Sequence, residues 1–153
     1  MVSSSGDSSA MLPDDAVSAA EMLNEPGFAS HSPYNSEDVS IGSTIAADSV
    51  LITVPADGYV VVEAGGLISM SHTSGTISNI WLNVRNAAAV LPGGEGFQWG
   101  YLPSVTPTGQ YVENFLCHRV YAVSAGTYSY YLNAYGFSGT GSYRVRYKWI
   151  RAT

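Results

Sequence analysis

From residue 49 to the C-terminus, apolar and polar side chains alternate with a period of two, interrupted by turn residues roughly every 8 to 15 positions. Successive side chains of a strand point to opposite faces, so the pattern specifies extended chain with one buried face, and helical spacing is nearly absent after residue 40. Helical bundles and α/β folds are excluded. The expectation is an all-β domain over residues 49–153, an antiparallel jelly-roll sandwich of about eight strands.

The strands are legible one by one. Ser49–Val54 and Tyr59–Ala64 flank Pro55-Ala56-Asp57-Gly58, where Asp-Gly permits a tight turn, and Gly65-Gly66 precedes Leu67–Ser71. Further on, Ile80, Leu82 and Val84 alternate with Trp81, Asn83 and Arg85, which turns the aliphatic side chains inward. Phe97–Leu102 is a short strand between two surface loops. Tyr111–Val123 is a long strand, and Thr127–Tyr135 sets Tyr128, Tyr130, Leu132 and Ala134 on one face. After the turn Gly136–Gly141, the last strand alternates Tyr143, Val145, Tyr147 and Trp149 with Arg144, Arg146 and Lys148, an apolar face against a basic one.

Residues 1–48 differ. They are rich in Ser, show no alternation before Val39, and carry eight acids and no Lys or Arg, whereas the remainder carries four acids and six bases. They read as an extended, acidic N-terminal arm. Within it, Pro13–Asn24 fits a short helix: Pro suits the first turn, Asp14 and Asp15 favour its positive end, and Pro26-Gly27 stops it. Ala16, Ala19, Ala20 and Leu23 share one face. A helix of about 11 residues is marginal alone in water, so this one is expected to form by docking that face on a partner; the alternative is a disordered acidic leader.

Only 12% of the 153 residues are charged, while 46% are apolar and 12% aromatic. Soluble domains average about 25% charged residues, so the shortage implies an exterior partly covered by other chains. No apolar run approaches the roughly 18 residues of a membrane helix, and Met1–Asp7 has neither the basic start nor the apolar stretch of a signal peptide. Neither membrane association nor standard secretion is expected. The single cysteine, Cys117, forbids an internal disulfide, which fits synthesis in a reducing cytoplasm. The acidic arm repels phosphate and the bases form no block, so no nucleic-acid partner is expected.

No catalytic or metal signature appears. His31, His72 and His118 fall in the arm, a loop and a strand, without a second ligand at metal spacing. Cys117 and His118 are adjacent on a strand and so face opposite ways, a core thiol and a surface imidazole. The acids outside the arm are scattered singly. The expectation is no enzyme, no cofactor and no metal. Trp81, Trp99, Tyr101 and Tyr135 allow two readings, sugar stacking or subunit packing, and the low charge favours packing.

The run VLITVPADGYVVVEA at Val50–Ala64 resembles the opening strand pair of trimeric jelly rolls related to complement globular heads and tumour necrosis factor, which recur in bacteriophage fibres and capsid decoration proteins. Residues 122–152, AVSAGTYSYYLNAYGFSGTGSYRVRYKWIRA, resemble the closing strands of such phage modules. The chain lacks the collagen stalk, closing-strand sequence and cysteine pair of the animal members, so no receptor or calcium site carries over. The resemblance implies a homotrimer packed through its aromatic sheet faces, with Tyr143, Tyr147, Trp149, Arg144, Arg146 and Lys148 as trimer or partner interface. It implies a virion structural protein assembled in the host cytoplasm: a capsid decoration, or cement, protein whose arm, through Asp14, Asp15, Ala16, Ala19, Ala20 and Leu23, clasps the major capsid protein. Alternatives are a fibre tip that binds host glycans and a bacterial carbohydrate-binding module.

Overall fold

A computed structural model describes residues 27–33, 35–90, 97–138 and 141–153, and these contain no helix. The strands are β1 (Ala29–His31), β2 (Ser36–Val39), β3 (Thr44–Val54), β4 (Gly58–His72), β5 (Ser78–Arg85), β6 (Phe97–Leu102), β7 (Gly109–Val123), β8 (Gly126–Ser138) and β9 (Tyr143–Ala152). One antiparallel sheet runs β1-β9-β4-β7, with β2 also paired to β9, and the other runs β3-β8-β5-β6. Ala29–His31 lie opposite Ile150–Ala152, and Ser36–Val39 opposite Tyr143–Arg146. Counted as one interrupted strand, β1 and β2 bring the orders to 1-8-3-6 and 2-7-4-5, the double winding of a jelly roll.

The inward rows read from alternation are the core. Ile80, Leu82 and Val84 of β5 and Tyr130, Leu132 and Ala134 of β8 are buried against Val60, Val62, Ile68, Met70, Phe115 and Ile150 of the facing sheet. Each aliphatic or aromatic side chain so buried contributes about 1.5–3 kcal/mol, which in a chain without a disulfide must come from packing alone. At the open edge of the sandwich, His31 Nδ1 lies 2.5 Å from Oδ1 of the buried Asp48, which ties β1 of one sheet to β3 of the other.

Three expectations are corrected. The sandwich begins before residue 49, because β1, β2 and the first residues of β3 belong to it. Sequences such as Ala-Ser-His and Ser-Glu-Asp-Val have no amphipathic signal of their own; the open edge of β9 recruits them. Gly65-Gly66 does not end a strand, since β4 runs unbroken for 15 residues; with β1 and β2 added, the described residues form nine strands, or eight with β1 and β2 counted as one. Nor does β9 divide cleanly into an apolar and a basic face.

That last correction has a local cause. Leu67 opposes Arg146 and Gly65 opposes Trp149, so Tyr147 and Lys148 share the single partner Gly66, a β-bulge. Tyr147 takes a φ of 49°, and its N–H donates to the Asn35 carbonyl at 3.2 Å, in the gap between β1 and β2. The extra residue inverts the alternation. Tyr143 and Val145 are buried before it; Lys148, Ile150 and Ala152 are buried after it, while Trp149 and Arg151 turn outward. Glycine is required opposite the bulge, because a Cβ at Gly66 would lie 2.8 Å from the Arg146 carbonyl oxygen and 3.0 Å from Lys148 Cα.

Candidate assembly face

Asp14, Asp15, Ala16, Ala19, Ala20 and Leu23 lie outside the described residues, as does the expected helix over Pro13–Asn24. Of the six residues expected on β9 as an interface, two belong to the interior. Tyr143 is fully buried; its phenol oxygen accepts the Asn79 N–H at 3.1 Å and donates to the Ser138 carbonyl, a polar bolt between the two sheets. Lys148 is also buried, turned in by the bulge, and its Nζ bonds Asn35 Oδ1 and sits 3.4 Å from Glu37 Oε1. It fastens β2 to β9 and faces no partner. Arg144 pairs with Asp38 at 2.6 Å, and the Arg146 guanidinium lies over the Tyr147 ring, 5.2 Å from its centroid. Trp149 is half-buried and lies flat on the sheet where Gly65 has no side chain: a Cβ there would meet the indole at 2.7 Å.

The surface that stands out was not read from the sequence. On β7, Val112, Leu116 and Val120 are 52%, 56% and 55% exposed, and on β4 Tyr59 is 75% exposed beside Val61. Register gathers them: Val61 opposes Val120, Tyr59 opposes Ala122, and Gly65 with its indole cover opposes Leu116. They form two apolar patches on the outer face of the β1-β9-β4-β7 sheet, Tyr59, Val61 and Val120 in one and Leu116 with the Trp149 indole in the other, parted by the row of Glu63 and His118, with Val112 beyond Asn114. β7 is moreover that sheet's terminal strand, and among the described residues no strand pairs with its other side. The charges nearby are matched within the face, Glu63 to Arg151 at 2.6 Å and Asp38 to Arg144. A signal existed: β7 carries large apolar residues in both phases, Phe115, Cys117 and Tyr121 inward and Val112, Leu116 and Val120 outward, the latter alternating with Asn114 and His118. A strand read only for its buried phase hides the second.

The polar candidates are occupied structurally. His72 lies in β4 rather than a loop and is buried; its Nε2 donates to the Thr106 carbonyl at 3.1 Å, which leaves Nδ1 to accept from Ser78 Oγ at 2.9 Å. Cys117 is buried and His118 exposed on the opposite face, as expected from their adjacency. Burial pushes the Cys117 thiol up to about 12, with a backbone bond at Gln98 opposing, so it stays protonated and is a poor nucleophile. Among the described residues, no three His, Cys, Asp or Glu side chains gather as a metal site.

No protein-family model matches this chain, and no curated protein matches it. Among solved structures it is similar over 84% of its length to Eiger TNF from S. frugiperda, spanning 92% of that chain at 15% identity and a TM-score of 0.42. Over 84% it is similar to the Gt strain structure of infectious bursal disease virus, spanning 33% of that chain at 12% identity and a TM-score of 0.36. Over 80% it is similar to the C-terminal CBM6 of LamC from Zobellia galactanivorans, spanning 90% of that chain at 16% identity and a TM-score of 0.23. These scores lie below 0.5, and the jelly-roll assignment rests on the strand order itself.

Proposed function

We propose that the chain is a non-enzymatic structural subunit of a virion, a capsid decoration protein that associates as a homotrimer through the outer face of the β7-bearing sheet and attaches to the major capsid protein through its acidic N-terminal segment. The observation that carries this reading is the set of exposed apolar side chains Tyr59, Val61, Val112, Leu116 and Val120 on one sheet face, which a lone soluble domain would leave wet. With Arg144 and Arg151 paired to Asp38 and Glu63, Arg146 is the remaining cation of β9 on this face, so copies of it approach with little like-charge repulsion. Rotational closure about a threefold axis then buries these side chains in every copy.

Sheet order supports the attachment. β1 lies at the opposite edge from β7, so a contact centred on β7 leaves the root of the N-terminal segment outside it. Residues 1–26 hold five acids and no base, and extended they span on the order of 85 Å, enough to reach a neighbouring capsomer. The segment to remove in a test is therefore 1–26, because a cut at residue 40 would take β1 and β2 as well. Light scattering is expected to give about three times 16.2 kDa for the full chain and three times its own smaller mass for the shortened one. Only the full chain is expected to bind capsids assembled without it. A monomeric mass refutes the trimer; full occupancy by the shortened chain refutes the attachment.

A further inference from the structure

The other sheet carries a second constellation. On β5, Trp81, Asn83 and Arg85 point away from the core, opposite Tyr135, Asn133 and Tyr131 of β8. Trp81 stacks on Phe137 with ring centroids 4.6 Å apart and planes 14° from parallel, and Tyr135 lies against both at 6.2 Å. Phe137 is 48% exposed and Tyr101 of the neighbouring β6 is 45% exposed, so the cluster presents aromatic surface to water. Beside it, Asn133 holds residues 86–90 over the sheet, its Oδ1 accepting the Ala89 N–H at 2.9 Å and its Nδ2 donating to the Ala87 carbonyl at 3.0 Å. Asn83, in register with Asn133, is fully buried, and neither its Oδ1 nor its Nδ2 has a hydrogen-bond partner.

A buried amide without partners is costly and uncommon. Here it sits two residues from a stacked tryptophan, under a segment held by Asn133, and it offers one acceptor and two donors. Arg85 is the single charged side chain that the β3-β8-β5-β6 strands present outward among the described residues, so the face has little with which to match a polyanion. Aromatic rings beside an uncharged donor and acceptor complement a pyranose, whose ring has an apolar face and hydroxyls at its rim.

We propose that the outer face of the β3-β8-β5-β6 sheet binds a neutral glycan, with Trp81, Tyr135 and Phe137 as the stacking platform and the Asn83 amide bonding the sugar hydroxyls once residues 86–90 are displaced. The site lies on the opposite sheet from the assembly face, so it is independent of the trimer. The full-length protein is titrated calorimetrically with maltohexaose, cellohexaose, mannohexaose and chitohexaose, and with heparin and an oligothymidylate as anionic probes. Saturable binding of at least one neutral hexasaccharide is expected, weakened tenfold or more by Phe137→Ala, whose half-exposed ring is removable without opening the core, and unchanged by Trp149→Phe on the other sheet. Asn83→Ala is expected to weaken binding while the thermal midpoint holds or rises, because the orphaned amide is lost. The proposal is overturned if no neutral probe saturates, if only the anionic probes bind, or if Phe137→Ala binds as tightly as the native chain.

Discussion

The two outer faces of the sandwich are built from the same alternating strands and present different chemistry. The β1-β9-β4-β7 face offers aliphatic groups, Val61, Val112, Leu116 and Val120, with its ion pairs closed within the face. The β3-β8-β5-β6 face offers Trp81, Tyr135, Phe137 and Tyr101 beside the Asn83–Asn133 amides. Aliphatic surface gains only by excluding water and has no directional preference, which suits a broad permanent contact. Stacked rings and amides are directional and suit recognition. A jelly roll can thus assign assembly to one sheet and ligand to the other, because the core between them insulates the two.

The most severe way to break the comparison is to add a residue beyond the bulge. Inserting one alanine between Lys148 and Trp149 would shift the alternation by one, sending Ile150 and Ala152 to the surface and Trp149 and Arg151 into the core. Loss of cooperative melting by circular dichroism is expected; a native-like midpoint would sink the account of β9. Next is the assembly face itself. Leu116→Asp is expected to reduce the scattering mass to 16.2 kDa, whereas Leu51→Asp on the opposite sheet, at a similarly exposed position, leaves it unchanged. If both dissociate the protein or neither does, the faces are not specialised.

A smaller effect is expected where Trp149 lies on Gly65. Gly65→Ala puts a Cβ against the indole, and overpacking of this kind costs about 1–3 kcal/mol, read as a lower urea midpoint with a shift in tryptophan emission. An unchanged midpoint and spectrum would mean that the indole does not rest there. The mildest test is alkaline pH, which acts between the faces. Burial raises the folded thiol of Cys117 to about 12 from an ordinary value of 9.0, so between those values the unfolded chain has lost a proton that the folded chain keeps. Stability therefore falls as pH rises above about 9, by up to about 1.4 kcal/mol per unit. Burial also raises Tyr121 and Tyr130, which adds loss in the same direction. Urea midpoints at pH 8 and 10 measure the slope, and Cys117→Ala should make it shallower; an equal slope in that variant would show that the thiol plays no part.

The inward rows of β5 and β8, the length of β7 and the opposed Cys117 and His118 were all legible in the sequence, because period-two alternation is a property of each strand alone. The outer apolar groups were half legible, since β7 carries large apolar residues in both phases, yet they become a patch only when register sets Val61 against Val120. Asn83 gave no sign, because an unpartnered amide is defined by its surroundings.

Local pattern by itself determined the class: alternating strands with turn residues between them and no disulfide specify a packed antiparallel all-β domain, and the sheet order makes it a sandwich. Tertiary structure decided what that pattern does not encode. Ala29–His31 and Ser36–Val39 become strands because β9 has an open edge, and Lys148 enters the interior because one residue beyond the register of β4 must be accommodated at Gly66. Alternation is a count along one chain, and a count cannot register an insertion until a second strand is laid beside it.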